Sequence, residues 1–511
     1  MDTLEDAAIY DVIVLGGGIV GLAAAAHLRK AGLRFCVVEA ASEVGGTWRD
    51  HDYPGCGADT EASTYVPSFE PLFTRHRYPT RDEVFEYCRR IARVHVGYEN
   101  VHLNEKVQRA EFHGSTQEWH LETATTTWRA RCVIFATFSG GAVDQVKLPR
   151  FKNQEAFSGP IVHSSALGRD PRFFDGKQVV IVGCGASTIQ IVPSICEYAK
   201  SITVLRRSMP YIKTCRLTPG PRTWLGYKLQ GLRVRLKNEL ISCLDGLPWL
   251  EFLYRWPYRW VEYGLRRGKL PREAIPPVRQ PVQCTRRGFD YLGFRAALNE
   301  EHVELVDVST GGIEGYYTGG VIANSRQYPA DVVVMATGYH MGQLSFNIYV
   351  DGREFDTNPE ALVGMYGFID GLPNAQVSVF GSPVWIIPPR LSEFNTKYFI
   401  RTFQHMRSRG CNRVAIRSDF AHKMTETVRN LNRHHVVLSQ YCPSFRYLLS
   451  TTAQEKQGST PAKEAVNLAF VPFPSFLMET ITRLTFSFRH FDFEREGAVV
   501  SRATANPEAR I

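Results

Sequence analysis

Tyr10-Asp11-Val12-Ile13-Val14-Leu15-Gly16-Gly17-Gly18-Ile19-Val20-Gly21 decides the fold. The first six residues read as an apolar strand, and the glycines that follow fill the three fixed places of a G-x-G-x-x-G turn. An alanine-rich helix from about Leu22 to Ala31 comes next, then a second strand, Phe35-Cys36-Val37-Val38, ending at Glu39. Strand, glycine turn, helix, strand and acid in this order are the context a dinucleotide-binding fold requires. Gly16 permits the tight turn, Gly18 lets the backbone approach a pyrophosphate, and Gly21 lets helix and strand pack closely. The helix start adds unpaired N–H groups and the positive end of a dipole. Glu39, eighteen residues after Gly21, is placed to accept hydrogen bonds from a ribose diol.

The pattern recurs. Gln178-Val179-Val180-Ile181-Val182 leads into Gly183-Cys184-Gly185-Ala186-Ser187-Thr188, a helix through Ile189-Gln190-Ile191-Val192, and a strand, Ser201-Ile202-Thr203-Val204-Leu205. Thr188 stands at the third glycine position, which implies a slightly larger helix–strand separation. The strand ends at Arg206-Arg207 instead of an acid. An acid here binds a free 2′-hydroxyl, whereas arginine suits a 2′-phosphate, so the second site is expected to prefer NADPH. The other reading of the pair is a solvated basic surface. The fold class that follows is α/β, with two Rossmann-like dinucleotide-binding domains. One site suits FAD and the other NADPH, a combination that means hydride transfer into a flavin.

At 511 residues the chain exceeds one simple core, and two or three domains are expected. Apolar content of 44% and charged content of 22% are those of a globular protein. The net charge of +9 is not accompanied by a basic repeat, zinc spacing or RNA-binding aromatic motif, so phosphate-bearing cofactors are the expected partners, not nucleic acid. The 11 cysteines include no C-x-x-C, which points to reduced thiols in a cytoplasmic setting and away from a disulfide reductase. No metal site is expected. No uninterrupted apolar run reaches the length of a membrane span, and the acidic start (Asp2, Glu5, Asp6) does not read as a signal peptide.

After Glu39 the chain reads Gly45-Gly46-Thr47-Trp48, then Tyr53-Pro54-Gly55, then Asp59. This run resembles the flavin-binding region of class B flavin monooxygenases, and among them the FAD- and NADPH-dependent Baeyer–Villiger monooxygenases. Phe157-Ser158-Gly159-Pro160-Ile161-Val162-His163 matches three positions of that group's F-x-G-x-x-x-H-x-x-x-W signature, with Leu167 in place of the tryptophan. The resemblance implies that His163 couples the flavin and nicotinamide domains. Cys284-Thr285-Arg286-Arg287-Gly288-Phe289-Asp290 resembles the group's Lys-Arg-x-x-x-Asp segment. Arg286 aligns with its catalytic arginine and Thr285 replaces its lysine. Two other departures are Phe138, where the family has the glycine of an Ala-Thr-Gly, and Leu167. An intact Ala336-Thr337-Gly338-Tyr339 occurs later.

The resemblance implies cofactor-binding roles for Gly46, Thr47, Trp48, Tyr53, Asp59, Ser187, Thr337 and Gly338, beside the turn residues above. It also implies the reaction: reduced flavin reacts with O2 while NADP+ stays bound, and one oxygen atom is inserted beside a ketone carbonyl to give an ester or lactone. Arg286, which keeps its charge at any working pH, would stabilise the negative charge that develops on oxygen, and Asp59 would orient it. The expected substrate is a small hydrophobic ketone, and a specialised biosynthetic pathway fits a divergent member. Two alternatives stay open: oxygenation of nitrogen or sulfur, and a flavin-binding protein with little turnover.

The domain reading is 1–145 for the first part of the FAD domain, 146–330 for the NADP domain with a helical insertion at about 215–275, and 331–511 for the return to the FAD domain and the substrate region. Thr80 with Glu83 reads as a capped helix start. The segments at 101–103, 107–112 and 118–122 read as an antiparallel meander, and 391–409 and 421–440 as helices. From Arg206 to Asp290 there are eighteen Lys/Arg against six Asp/Glu. Trp249-Leu250-Glu251-Phe252-Leu253-Tyr254-Arg255-Trp256 reads as an exposed helix at a substrate entrance or on a membrane surface, or as an insertion with a local core, which is preferred because its polar face is broken.

Overall fold

The computed structural model describes residues 9–137, 146–214, 218–245, 287–339, 344–357, 364–378, 382–383, 388–434, 470–471 and 486–495. Two parallel-rich sheets organise them, and both are of the expected Rossmann-like kind.

In the first sheet, Tyr10–Leu15 lies parallel between Phe35–Val38 and Thr127–Phe135. Val12, Ile13 and Val14 are buried completely, as expected of a strand with layers on both faces. The helix Ile19–Lys30 buries Leu22, Ala23, Ala24, Ala25 and Leu28; its alanines allow close approach to the sheet. Its outer face is covered by the helix Pro388–Ser408, whose Ser392 Oγ donates to the Val20 carbonyl at 2.9 Å. His27 and Glu393 meet across the same contact at 3.1 Å. The helix Arg81–Ile91 begins with the expected reciprocal cap between Thr80 and Glu83.

The second sheet is all parallel, in the order Val303–Asp307, Ser201–Arg206, Gln178–Val182, Val332–Met335, Ile161–His163. The strand Val332–Met335, assigned from sequence to the return segment, therefore belongs to this sheet. The return follows it: Asn347–Val350 pairs with Arg109–His113 of the first sheet. The meander is also different at its start. Arg109–His113, Glu118–Glu122 and Thr127–Phe135 are antiparallel neighbours, but Val101–His102 lies parallel to Phe35–Val38 at the far edge. Two residues are too few to carry a pattern that distinguishes the two placements.

The helix Trp224–Asp245 falls in the expected insertion, whereas the segment 249–256 lies outside the described residues. The two C-terminal helices are Pro388–Ser408 and Ser418–His434. No helix among the described residues is long and apolar enough to cross a membrane.

Candidate active site at the junction of the two sheets

Gly16 has φ +108°, and a Cβ there would come within 2.8 Å of Thr137 Cγ2. A Cβ on Gly21 would lie 1.9 Å from the Gly16 carbonyl oxygen, so the helix can close on the turn only with glycine at this position. Gly18 is different: its nearest neighbour is Gly46 Cα at 3.7 Å. The Gly45-Gly46 loop lies across the first turn through a Gly18–Gly45 bridge and a Gly45 N–H donated to the Gly17 carbonyl at 2.9 Å. The result is an open cradle of backbone at a helix N-terminus that has no side-chain cap and no acid in its first turn. Such an end is suited to a pyrophosphate. The buried hydroxyl of Thr137, beside the same turn, has no partner and offers a further polar contact. These features fit FAD.

Glu39 is buried. Its Oε2 accepts the Gly17 N–H at 2.6 Å, and its Oε1 accepts Ala41 N–H and Arg49 Nη1, each at 3.0 Å. Each oxygen has two lone pairs, so Oε2 keeps capacity for a ribose hydroxyl. Arg49 was not legible as a partner of this acid. Trp48 is buried and donates its Nε1–H to Tyr65 Oη at 2.9 Å, which fixes the loop that follows Gly46 and Thr47.

The second turn repeats the first. Gly183 has φ +109°, and a Cβ there would lie 2.5 Å from the Ala336 carbonyl oxygen. Gly185 precedes a helix, Ala186–Ile195, that again lacks a side-chain cap and an acid in its first turn, with Ser187 in that turn. Thr188 is fully buried and bonds the Gly183 carbonyl through Oγ1 at 3.0 Å, so its hydroxyl is absorbed by the turn itself. The arginine pair divides. Arg206 is buried and its Nη2 lies 2.9 Å from Asp307 Oδ2 on the neighbouring strand. Arg207 is exposed.

The loop after the first turn and the helix after the second are joined through Tyr53 and through Gln190, to which sequence reasoning gave no role. Tyr53 donates its hydroxyl to Gln190 Oε1 at 2.8 Å. Gln190 Nε2 donates to the Gly57 carbonyl at 2.9 Å and lies 2.8 Å from Tyr291 Oη. Gly55 sits so close to this helix that a Cβ would come within 2.2 Å of Ser194 Oγ. The one available signal was a glutamine in the apolar run Ile189-Gln190-Ile191, because a buried amide needs designated partners.

His163 lies at the same junction, buried. Its Nδ1 accepts the Ser165 N–H at 3.2 Å, which puts the ring proton on Nε2, donated to the Gly338 carbonyl at 3.2 Å. Thr337 bonds the Lys147 carbonyl through Oγ1. Tyr339 then places its ring between two imidazoles, 5.0 Å from His51 and 5.2 Å from His163. Burial pushes the pKa of both histidines below the ordinary value, so both are neutral at pH 7.

Asp59 is exposed and its Oδ1 accepts from Thr60 Oγ1 at 3.3 Å. Arg286, Thr285 and Phe138 lie outside the described residues. Leu167 is buried in the core of the second domain.

The family described as pyridine nucleotide-disulphide oxidoreductase matches residues 13–220, which cover both glycine turns. Pentalenolactone D synthase of Streptomyces exfoliatus is 28% identical over 64% of this chain and 65% of its own. FAD-containing monooxygenase EthA of Mycobacterium tuberculosis is 27% identical over 80% and 85%, and Baeyer-Villiger monooxygenase 4 of a Dietzia species is 25% identical over 67% and 64%. In sequence, the chain is similar to these monooxygenases. The match spans a little under two thirds of the length of pentalenolactone D synthase. Among solved structures, a steroid monooxygenase bound to NADP shares the fold with a TM-score of 0.77 at 22% identity, covering 96% of this chain and 100% of its own. A polycyclic ketone monooxygenase from Thermothelomyces thermophila superposes with a TM-score of 0.79 at 19% identity, covering 97% and 91%.

Proposed function

We propose that this chain is an FAD- and NADPH-dependent monooxygenase that inserts one atom of O2 beside the carbonyl of a small hydrophobic ketone, giving an ester or lactone. The observation that carries the reading is a pair of open glycine turns, with the loop after the first tied to the helix after the second through Tyr53 and Gln190, since hydride transfer requires two nucleotides held face to face. The proteins that share the fold include a steroid monooxygenase and a polycyclic ketone monooxygenase, and a cyclic ketone is the substrate proposed by analogy.

FAD, when bound, supplies acceptance of a hydride from NADPH and the activation of O2. The chain's own groups do the rest. Gly16, Gly18, Gly21, Gly46 and the N-terminus of Ile19–Lys30 receive the FAD pyrophosphate, and Glu39 the adenosine ribose. Gly183, Gly185, Ser187 and Thr188 form the corresponding turn for NADPH, and Arg207 meets its 2′-phosphate. Neutral His163 holds the Thr337-Gly338 segment between the two sites through its Nε2 proton and shifts no charge in doing so. Arg286 is assigned the stabilisation of negative charge developing on oxygen, a role whose removal typically slows a reaction by about two to three orders of magnitude. Asp59 is assigned its orientation.

The test is anaerobic mixing of FAD-loaded protein with NADPH or NADH. Bleaching of the flavin by NADPH, much faster than by NADH, is the expected result. Retained FAD that neither nucleotide reduces would support a flavin-binding protein with little turnover instead.

A further inference from the structure

Five of the ten large apolar side chains exposed among the described residues sit on one helix, Trp224–Asp245. Leu225, Leu229, Leu232 and Leu236 are each more than half exposed, and their spacing of four, three and four places them in a single stripe. Trp224, also exposed, begins the helix. The opposite face is anchored to the body of the protein. Tyr227 and Val234 are buried, Gln230 Nε2 donates to Glu61 Oε2 at 3.3 Å, and Gly231 lies against the Ser63 carbonyl, where a Cβ would approach to 3.3 Å. The leucines therefore point away from the fold. The half-exposed Phe73, whose ring centre lies 6.0 Å from that of Tyr227, borders the helix.

We propose that this helix docks on the anionic surface of a phospholipid bilayer, lying in its plane. Charge selects this occupant. Lys228 and Arg233 are exposed and flank the leucine stripe on either side, and Lys228 Nζ lies 5.0 Å from the Trp224 ring centre. Between Arg222 and Lys237 there are five Lys/Arg and no Asp/Glu. The leucine spacing is also that of a coiled-coil seam, but a second copy would bring lysine and arginine against lysine and arginine at the flanking positions, which opposes pairing. The segment 246–286 of this chain carries eight Lys/Arg against three Asp/Glu, so it has the same sign. A lipid surface rich in anionic headgroups brings the opposite charge, and its interface takes up a leucine and tryptophan face rimmed by cations.

The experiment is flotation of the full-length protein with vesicles of phosphatidylcholine alone, or of phosphatidylcholine with about one third phosphatidylglycerol, with the oligomeric state measured by light scattering in parallel. The wild type is expected to float with the anionic vesicles and at least about tenfold less with the neutral ones. Leu229→Glu/Leu232→Glu is expected to weaken that binding at least about tenfold, with an unchanged far-ultraviolet circular dichroism spectrum. Lys228→Glu/Arg233→Glu, which leaves the stripe intact, is expected to abolish the preference for anionic lipid. A wild type that stays with neither vesicle, or that binds both equally, overturns the proposal. So does a wild-type dimer that the leucine variant converts to monomer without any effect on lipid binding, because the stripe would then be covered by a second copy.

Discussion

Tyr53 donates its hydroxyl to Gln190 Oε1 at 2.8 Å across 137 residues of sequence. This bond ties the loop after the first glycine turn to the helix after the second, and Gln190 extends it to Gly57 and Tyr291. Gln190→Leu removes the amide and leaves several buried groups unpaired, each worth about 1–3 kcal/mol. Urea unfolding is expected to show a loss of at least about 2 kcal/mol, and Tyr53→Phe a smaller one. A Gln190→Leu protein as stable as the wild type would mean that these groups find other partners.

Arg207 is proposed to meet the 2′-phosphate, while Arg206 pairs with Asp307. Arg207→Ala is expected to raise KM for NADPH by about ten- to a hundredfold, the worth of a charged hydrogen bond to phosphate, and to leave KM for NADH nearly unchanged. Arg206→Ala removes a buried partner of Asp307, so it should lower the melting temperature while the ratio of NADPH to NADH use stays close to that of the wild type. Steady-state kinetics with both nucleotides and a thermal melt decide between the two roles.

His51 and His163 are held below their ordinary pKa by burial. The unfolded chain therefore binds protons at a higher pH than the folded one. Their contribution to stability is complete above the unfolded value, about 6.5, and falls as the pH drops from there towards the lowered folded values. His163→Gln, which keeps an N–H donor for Gly338, should flatten this part of the stability profile between pH 7 and 5. Urea midpoints at a series of pH values, with the variant beside the wild type, provide the measurement.

Gly21→Ala places a Cβ 1.9 Å from the Gly16 carbonyl oxygen, and backbone cannot yield as a flexible side chain can. The purified variant should contain little FAD, read as the ratio of flavin to protein absorbance, whereas Gly32→Ala, strained by its φ of +68° but with open space around its Cβ, should lose about 1 kcal/mol of stability and retain FAD. Normal flavin content in Gly21→Ala would contradict the assignment of this turn.

The glycine turns and Glu39 were legible because their requirements are local: a positive φ, a close backbone approach and an acid at a strand end are written in consecutive residues. The ion pair of Arg206 was not, because its partner Asp307 comes about a hundred positions later, on a neighbouring strand. Gln190 was hidden for a similar reason, since its partners at 53, 57 and 291 come from three distant segments. The place of Val332–Met335 also escaped: a buried parallel strand reads the same in either sheet, and only the crossover decides its neighbours. Asn374 gave no signal at all, although its buried side chain bonds the carbonyls of Gln117, Arg131 and Asn412 and the amide of Val414. His163 was recognisable by its place in a motif, but its neutral tautomer follows only from the folded contacts.

The most direct test of the account is incubation of the FAD-loaded protein with NADPH and 18O2 over a panel of cyclic ketones and a thioether, with products read by mass spectrometry. The account predicts an ester or lactone carrying one 18O from a ketone, and loss of that product in Arg286→Ala while NADPH still bleaches the flavin. Labelled sulfoxide with no ketone converted, or an Arg286→Ala variant that forms the ester at the wild-type rate, would contradict it.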